Sequence, residues 1–170
     1  SAEQDARGEQ AVIDALHAEM QIIESEAVHT SETSYERRPG TTIVHRAEAL
    51  LVAEYEETLT GLSVKRIRTP AGVTDLYITG PDGVEVIEAK SGSDRRFVRQ
   101  ALGQLLDYAP HSPAPASRLA ALFPVRPAEA DIALLHRYGI DCIYRTEPNV
   151  FARREAPAEA RTHMQKLWHG

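Results

Sequence analysis

The stretch TDLYITGPDGVEVIEAK, residues 74–90, constrains the fold of this chain more than any other segment. Its centre, Gly80-Pro81-Asp82-Gly83, has turn residues, because proline presets the second turn position and glycine suits the fourth. Alternating side chains on both sides of the turn are typical of paired β-strands. The segment therefore predicts a β-hairpin.

This hairpin would place three charged side chains together. With an even-numbered loop, paired positions sum to 163, so Asp75 faces Glu88 across the strands. Lys90 lies two residues beyond Glu88 and projects from the same face. A three-residue loop with a glycine bulge would shift the pairing and separate them. We predict that Asp75, Glu88 and Lys90 form a cluster, with Asp82 outside it as a turn former.

Two carboxylates at this separation repel each other unless a cation or a proton lies between them. Oxygen ligands suit a hard ion, so Mg²⁺ is the expected metal and Mn²⁺ the alternative. The same spacing also fits a solvated strand edge that carries an ordinary salt bridge. The hairpin alone does not decide between these interpretations.

The helix predicted after Asp94 adds further polar residues. Gln104 and Tyr108 are i, i+4 neighbours that flank its core stripe, which consists of Val98, Ala101, Leu102, Leu105 and Ala109. Its first two turns contain Arg95, Arg96 and Arg99, although cations are unfavourable near a helix N-terminus. A bound phosphate chain would compensate them, and solvated arginines are the alternative.

Asp75, the run Glu88-Ala89-Lys90 and the motif Gln104-x-x-x-Tyr108, in this order, resemble the PD-(D/E)XK nuclease superfamily, in its RecB-like branch with a Gln-x-x-x-Tyr motif. The resemblance covers residues 43–145, and Thr74 departs from it by standing where proline is expected. It implies an α/β fold, a restriction-endonuclease-like sandwich with a central mixed β-sheet flanked by helices and an additional N-terminal helix.

The predicted organisation has three parts. Residues 1–42 contain an amphipathic helix and a connector, residues 43–155 the nuclease-like core, and residues 156–170 a C-terminal tail. The helix spans residues 3–24 and carries Val12, Leu16, Ile22 and Ile23 near one side. Packing is its first interpretation, with a dimer arm or a partner surface as alternatives.

The family adds a glutamate from the helix before the hairpin, and Glu48 and Glu54 compete for this role. Both border the buried side of that helix, so periodicity does not decide between them. The segment His45-x-x-Glu48-x-x-Leu51 is more similar to the family pattern and favours Glu48. Either glutamate could instead pair with an arginine such as Arg66.

The resemblance also implies a catalytic mechanism. Asp75, Glu88 and the Ala89 carbonyl would bind one or two Mg²⁺ ions, with Glu48 reaching the metal directly or through water. The metal would polarise the scissile phosphate and stabilise charge on the leaving oxygen. Lys90 would promote ionisation of the attacking water and offset phosphate charge.

Gln104 and Tyr108 would assist at the same site. Gln104 would position water, the lysine or a backbone phosphate, and Tyr108 would pack beside it or contact phosphate. Contacts to the nucleic-acid backbone, without sequence reading, would come from two basic groups: Arg95, Arg96 and Arg99, and Lys65, Arg66 and Arg68.

The charge distribution permits a polyanionic partner for the second part of the chain. Residues 1–60 contain 13 acidic and 4 basic residues, a net charge of −9, whereas residues 61–170 contain 12 and 15, a net charge of +3. The single cysteine, Cys142, excludes a disulfide framework and a cysteine-based zinc site. No run of about 18 apolar residues is present, so no membrane span is expected.

The leading interpretation is therefore an Mg²⁺-dependent phosphodiesterase that cleaves DNA. An RNA-cleaving toxin domain held by an immunity protein, and a non-catalytic module that binds nucleic acid or protein, are the alternatives. A homodimer or another partner protein stays open. The expected location is the cytoplasm, with a secreted toxin domain as the alternative.

Overall fold

Residues 39–170 are described in the computed structural model of the chain. Their helices are α1 (Pro39–Glu56), α2 (Arg95–Tyr108), α3 (Glu129–Arg137) and α4 (Ala158–Trp168), with a 3₁₀ turn at Ala109–His111. Their strands are β1 (Ser63–Lys65), β2 (Arg68–Thr69), β3 (Gly72–Val73), β4 (Leu76–Gly80), β5 (Gly83–Ala89), β6 (Ala116–Phe123), β7 (Ile140–Glu147) and β8 (Val150–Arg154). The helix predicted at residues 3–24 lies outside the described residues.

Six of the strands form one mixed sheet in the order β1-β4-β5-β6-β7-β8. Strands β5, β6 and β7 are parallel, whereas the pairs β1/β4, β4/β5 and β7/β8 are antiparallel. The strands β2 and β3 form a separate two-stranded ribbon. The described chain is thus an α/β protein with a six-stranded mixed sheet and four helices.

The predicted hairpin and its register are confirmed. Tyr77 pairs with Val86 and Gly80 with Gly83, so paired positions sum to 163 as expected. Asp82 is exposed at the turn, and Gly83 has a φ of 106°, a value that favours glycine. Asp75 directly precedes β4, where the same register sets it opposite Glu88 on β5.

Both faces of the sheet are covered by helices. On one face, α1 packs Leu51, Val52 and Tyr55 on Leu76, Ile78, Ile87, Ala89, Ala120, Leu122 and Ile143. On the other face, α2, α3 and α4 pack on residues that include Tyr77 and Val86. Because side chains alternate along a strand, Glu88 shares this second face with Tyr77 and Val86, and Asp75 and Lys90 directly flank the paired strands.

Three predicted boundaries differ in the structure. Helix α1 begins at Pro39, inside the segment that was predicted as a connector up to residue 42. The first strand of the hairpin predicted within residues 74–90 begins only at Leu76, because Thr74 and Asp75 separate β3 from β4. Residues 156–170, set apart as a tail, contain α4, whose Met164 and Trp168 are buried at i, i+4 spacing.

Among residues 39–170, no helix is both long and apolar enough to cross a membrane.

Candidate functional site

The end of the hairpin away from its turn brings Asp75, Glu88 and Lys90 together. Asp75 Oδ2 accepts a hydrogen bond of 2.8 Å from the backbone N–H of Ala89, next to Glu88. Glu88 and Lys90 are each only 4% exposed, and Lys90 Nζ lies 3.7 Å from Glu88 Oε1. At this distance the Lys90 ammonium and the Glu88 carboxylate form an ion pair but no hydrogen bond. Fully buried charges of this kind are rare in proteins unless they are paired.

The electrostatics of the two carboxyl groups show strain that a cation would relieve. Burial raises the pKa of Glu88 well above its ordinary value, and the negative charge of Asp75 raises it further. The pKa of Asp75 is also raised, first by burial and then by the charge of Glu48. Lys90 opposes both shifts without cancelling them. The site therefore favours either protonated carboxyls or a bound positive charge.

The structure separates the two competing glutamates of α1. The charge of Glu48 acts on both Asp75 and Glu88 and raises the pKa of each. Glu54 is used elsewhere, because its Oε1 accepts hydrogen bonds from the Asn149 backbone at 2.6 Å and from Arg145 Nε at 2.9 Å. These bonds lower the pKa of Glu54. Glu48 is accordingly the helix carboxylate that belongs to the acidic cluster.

One residue near this cluster was not among the predicted site residues. His45 Nδ1 lies 3.9 Å from Glu48 Oε2, one turn earlier on α1. Both ring nitrogens of His45 are buried and make no hydrogen bond. The histidine was visible in the sequence only as part of the pattern that favoured Glu48, and its burial depends on how α1 packs.

The donor set suits a hard cation but supplies few side-chain ligands. Within the described residues, no group of three or more His, Cys, Asp or Glu side chains is arranged to hold a metal ion. Glu88 Oε2 is buried and accepts no hydrogen bond, so it has unused coordinating capacity. A cation here would therefore draw on the Asp75 and Glu88 carboxylates and the Ala89 carbonyl, with Glu48 reaching it directly or through water.

Gln104 and Tyr108 lie on the buried side of α2, the helix that contacts β5 and β6. Gln104 Oε1 accepts no hydrogen bond although it is buried. Its carbonyl oxygen is therefore available to a ligand or a water. The sequence placed both residues at the edge of the core stripe, whereas the structure buries them within it and leaves Leu102 at the edge.

The three arginines of α2 have different surroundings. Arg95 Nη1 forms an ion pair of 3.1 Å with Asp131 of α3, so one of the expected phosphate ligands already has a protein partner. The Arg96 guanidinium lies 4.7 Å from the ring centre of Phe97, and Arg99 is exposed. Asp94 caps the helix by accepting a hydrogen bond from the Arg96 backbone N–H, which offsets positive charge at this end.

The second basic group lies at the opposite side of the hairpin. Lys65 belongs to β1, an edge strand of the sheet, and Arg68 to the ribbon that follows it; both are exposed. Arg66 lies between them, and its charge partly opposes the rise that burial causes in the pKa of Asp75. Of this group, Arg66 is the residue whose charge acts on Asp75.

Two surface cavities lie away from the cluster. One has a volume of about 220 Å³ at the hairpin turn, and the other about 350 Å³ beside β8; Tyr55 and Arg153 line both. Arg153 is held by Glu85 and Asp141, so its charge is already compensated.

The geometric findings have no counterpart in the comparisons with known proteins. The chain matches no protein-family model, no curated protein and no solved structure.

Proposed function

We propose that this chain is an Mg²⁺-dependent nuclease of the PD-(D/E)XK superfamily that hydrolyses phosphodiester bonds in DNA. The observation that carries the proposal is the interaction of the half-buried Asp75 carboxyl with the buried Glu88 carboxyl, whose Oε1 lies 3.7 Å from Lys90 Nζ. Burial and mutual repulsion raise the pKa of Glu88, which is the expected state of a metal-binding carboxylate without its metal.

The arrangement of elements supports the restriction-endonuclease-like fold that we propose. A helix, α1, precedes the acidic hairpin β4–β5, and α2 then leads into the parallel strand β6. The acidic residues come from the hairpin and the motif Gln104-x-x-x-Tyr108 from α2. Each part of the sequence resemblance therefore lies on the type of element that the superfamily would require.

In this proposal, Asp75, Glu88 and the Ala89 carbonyl would hold the metal, and Glu48 would reach it directly or through water. The bound ion supplies polarisation of the scissile phosphate and stabilisation of charge on the leaving oxygen. Mn²⁺ would replace Mg²⁺ at such an oxygen site.

The side chains around the carboxylates position water and compensate negative charge. Lys90 offsets the negative charge that develops on the phosphate and steadies the attacking hydroxide. Gln104 positions water or a phosphate oxygen through its unpaired Oε1. Contacts to the nucleic-acid backbone would come from exposed cations of both basic groups: Arg96 and Arg99, and Lys65, Arg66 and Arg68.

The test is cleavage of supercoiled plasmid, linear DNA and single-stranded RNA, each with Mg²⁺ or with EDTA. Wild type is expected to cleave DNA only with Mg²⁺, and Asp75→Ala and Lys90→Ala should lower the rate by about a hundredfold or more. Asp82→Ala is the matched acidic control from the turn of the same hairpin and should keep the wild-type rate.

Equal cleavage by wild type and by the Asp75→Ala and Lys90→Ala variants would overturn the assignment of these residues to the active site. Cleavage of RNA in preference to DNA would show that RNA, and not DNA, is the substrate. Absence of divalent-dependent cleavage of all three substrates would favour a binding module that keeps the fold without the chemistry.

A further inference from the structure

Helix α1 has an apolar stripe on the side that faces away from the sheet. Ile43 is 68% exposed and Leu50 is 66% exposed, with exposed Ala47 between them. Their i, i+4, i+7 spacing places them on one side of the helix, whereas Leu51 and Val52 face the sheet. We call Ile43, Ala47 and Leu50 the outer stripe.

The chain just before α1 has a complementary pattern. Residues 3–24 are amphipathic in sequence, with Leu16 and Ile23 on the apolar side, and they lie outside the described residues. The fourteen residues from 25 to 38 join them to Pro39, the first residue of α1. This link can extend to about 46 Å, far more than the roughly 10 Å between packed helix axes.

The two segments also match in spacing and charge. Leu16 and Ile23 are seven residues apart, as are Ile43 and Leu50, and seven residues span about 10.5 Å of helix. An antiparallel arrangement therefore sets Ile23 beside Ile43 and Leu16 beside Leu50. It also places Glu19 at the level of exposed Arg46, next to the outer stripe.

We propose that residues 3–24 form a helix that docks antiparallel on the outer stripe of α1, so that the stripe is an intramolecular docking surface for the N-terminal segment of this chain. This docking rests on packing, reach and charge, and it is independent of the proposed nuclease activity. A second copy of the chain is the competing occupant.

Disulfide trapping in the full chain tests the arrangement. Leu16→Cys with Leu50→Cys is expected to form an intramolecular disulfide at least tenfold faster than Leu16→Cys with Val125→Cys, because Val125 is 59% exposed but lies after β6. The native Cys142 should not interfere, since burial raises its pKa to about 12. Non-reducing gels and mass spectrometry separate monomeric from dimeric products.

Hydrogen exchange provides an independent measurement. Amides of residues 12–23 should be protected in wild type and should lose that protection in Leu50→Glu but not in Val125→Glu. Unprotected amides in wild type, or equal trapping of the two cysteine pairs, would overturn the docking. A disulfide-linked dimer whose yield rises with protein concentration would assign the stripe to a second copy instead.

Discussion

The carboxyl groups of Asp75 and Glu88 interact across the open end of the hairpin, and the charge of Asp75 raises the pKa of Glu88. Asp75 is held there by the 2.8 Å hydrogen bond from the Ala89 backbone. The Asp75 carboxyl cannot move far without breaking this bond, and burial confines the Glu88 carboxyl. The pair is therefore a fixed source of repulsion in the metal-free protein.

We expect Glu88→Gln to stabilise the metal-free protein at neutral pH. The unfolded glutamate ionises near its ordinary pKa of 4.5, whereas the folded one ionises at higher pH. Between these values the native state binds more protons, so the free energy of unfolding falls as pH rises. Thermal unfolding in EDTA should show a gain of a few degrees for the variant at pH 8, about 1 kcal/mol.

The gain of Glu88→Gln should disappear at pH 4, where the carboxyl is protonated in both states. Glu54→Gln is the matched control of opposite sign. The pKa of Glu54 is lowered by its bond to the Asn149 backbone, so its stabilising effect is present above the unfolded pKa and is lost as pH falls through the folded pKa. A wild-type unfolding temperature that rises relative to Glu88→Gln between pH 5 and pH 8 would contradict the first prediction.

The two glutamates of α1 should differ in their effect on cleavage. If the proposed nuclease activity is correct, Glu48→Gln should lower the rate by about 10- to 100-fold, as expected of a residue that orients a metal-bound water. Glu54→Gln should stay within about twofold of wild type, because its partners are Arg145 and the Asn149 backbone. Single-turnover cleavage at saturating Mg²⁺ measures both, and the reverse order of effects would assign the role to Glu54.

Asp141 should be a major contributor to stability although it lies outside the site. It is fully buried, and it accepts hydrogen bonds from Arg153, Arg161 and the backbone N–H of Ala156. Asp141→Asn removes the negative charge that compensates Arg153 and Arg161. It should lower the free energy of unfolding by about 3 kcal/mol. Urea denaturation measures this loss.

Glu155→Gln is the matched control for Asp141→Asn. Glu155 pairs with Arg118 at 2.7 Å, but both side chains are partly exposed. Its loss should therefore cost less than about 1 kcal/mol. Equal midpoints for the two variants would show that the buried network around Asp141 does not stabilise the sheet.

The C-terminal helix α4 should be part of the cooperative core. Trp168 is fully buried there, and Trp168→Ala should cost roughly 3–5 kcal/mol of unfolding free energy. Its neighbour Leu167 is exposed, so Leu167→Ala should change stability by less than about 0.5 kcal/mol. Circular dichroism during urea unfolding compares the variants, and wild-type stability of Trp168→Ala would show that α4 is dispensable.

The hairpin was determined by the sequence itself. Its turn residues fix the loop, and because side chains alternate with a period of two, one register follows for the whole pair. That local rule predicted the pairing of Tyr77 with Val86 and the exclusion of Asp82 from the cluster. The cap at Asp94 was predictable for the same reason, since it depends on neighbouring residues only.

Contacts between distant segments were decided by the tertiary structure alone. Helical periodicity did not distinguish Glu48 from Glu54. Only the packing of α1 brings Glu48 near Asp75 and Glu54 into contact with Arg145. The pairing of Arg95 with Asp131 joins two helices 36 positions apart in the chain, and the packing of Trp168 depends on where α4 meets the sheet. The sequence shows the periodicity of each helix and strand. Which elements pack against each other depends on the burial of apolar surface across the whole fold.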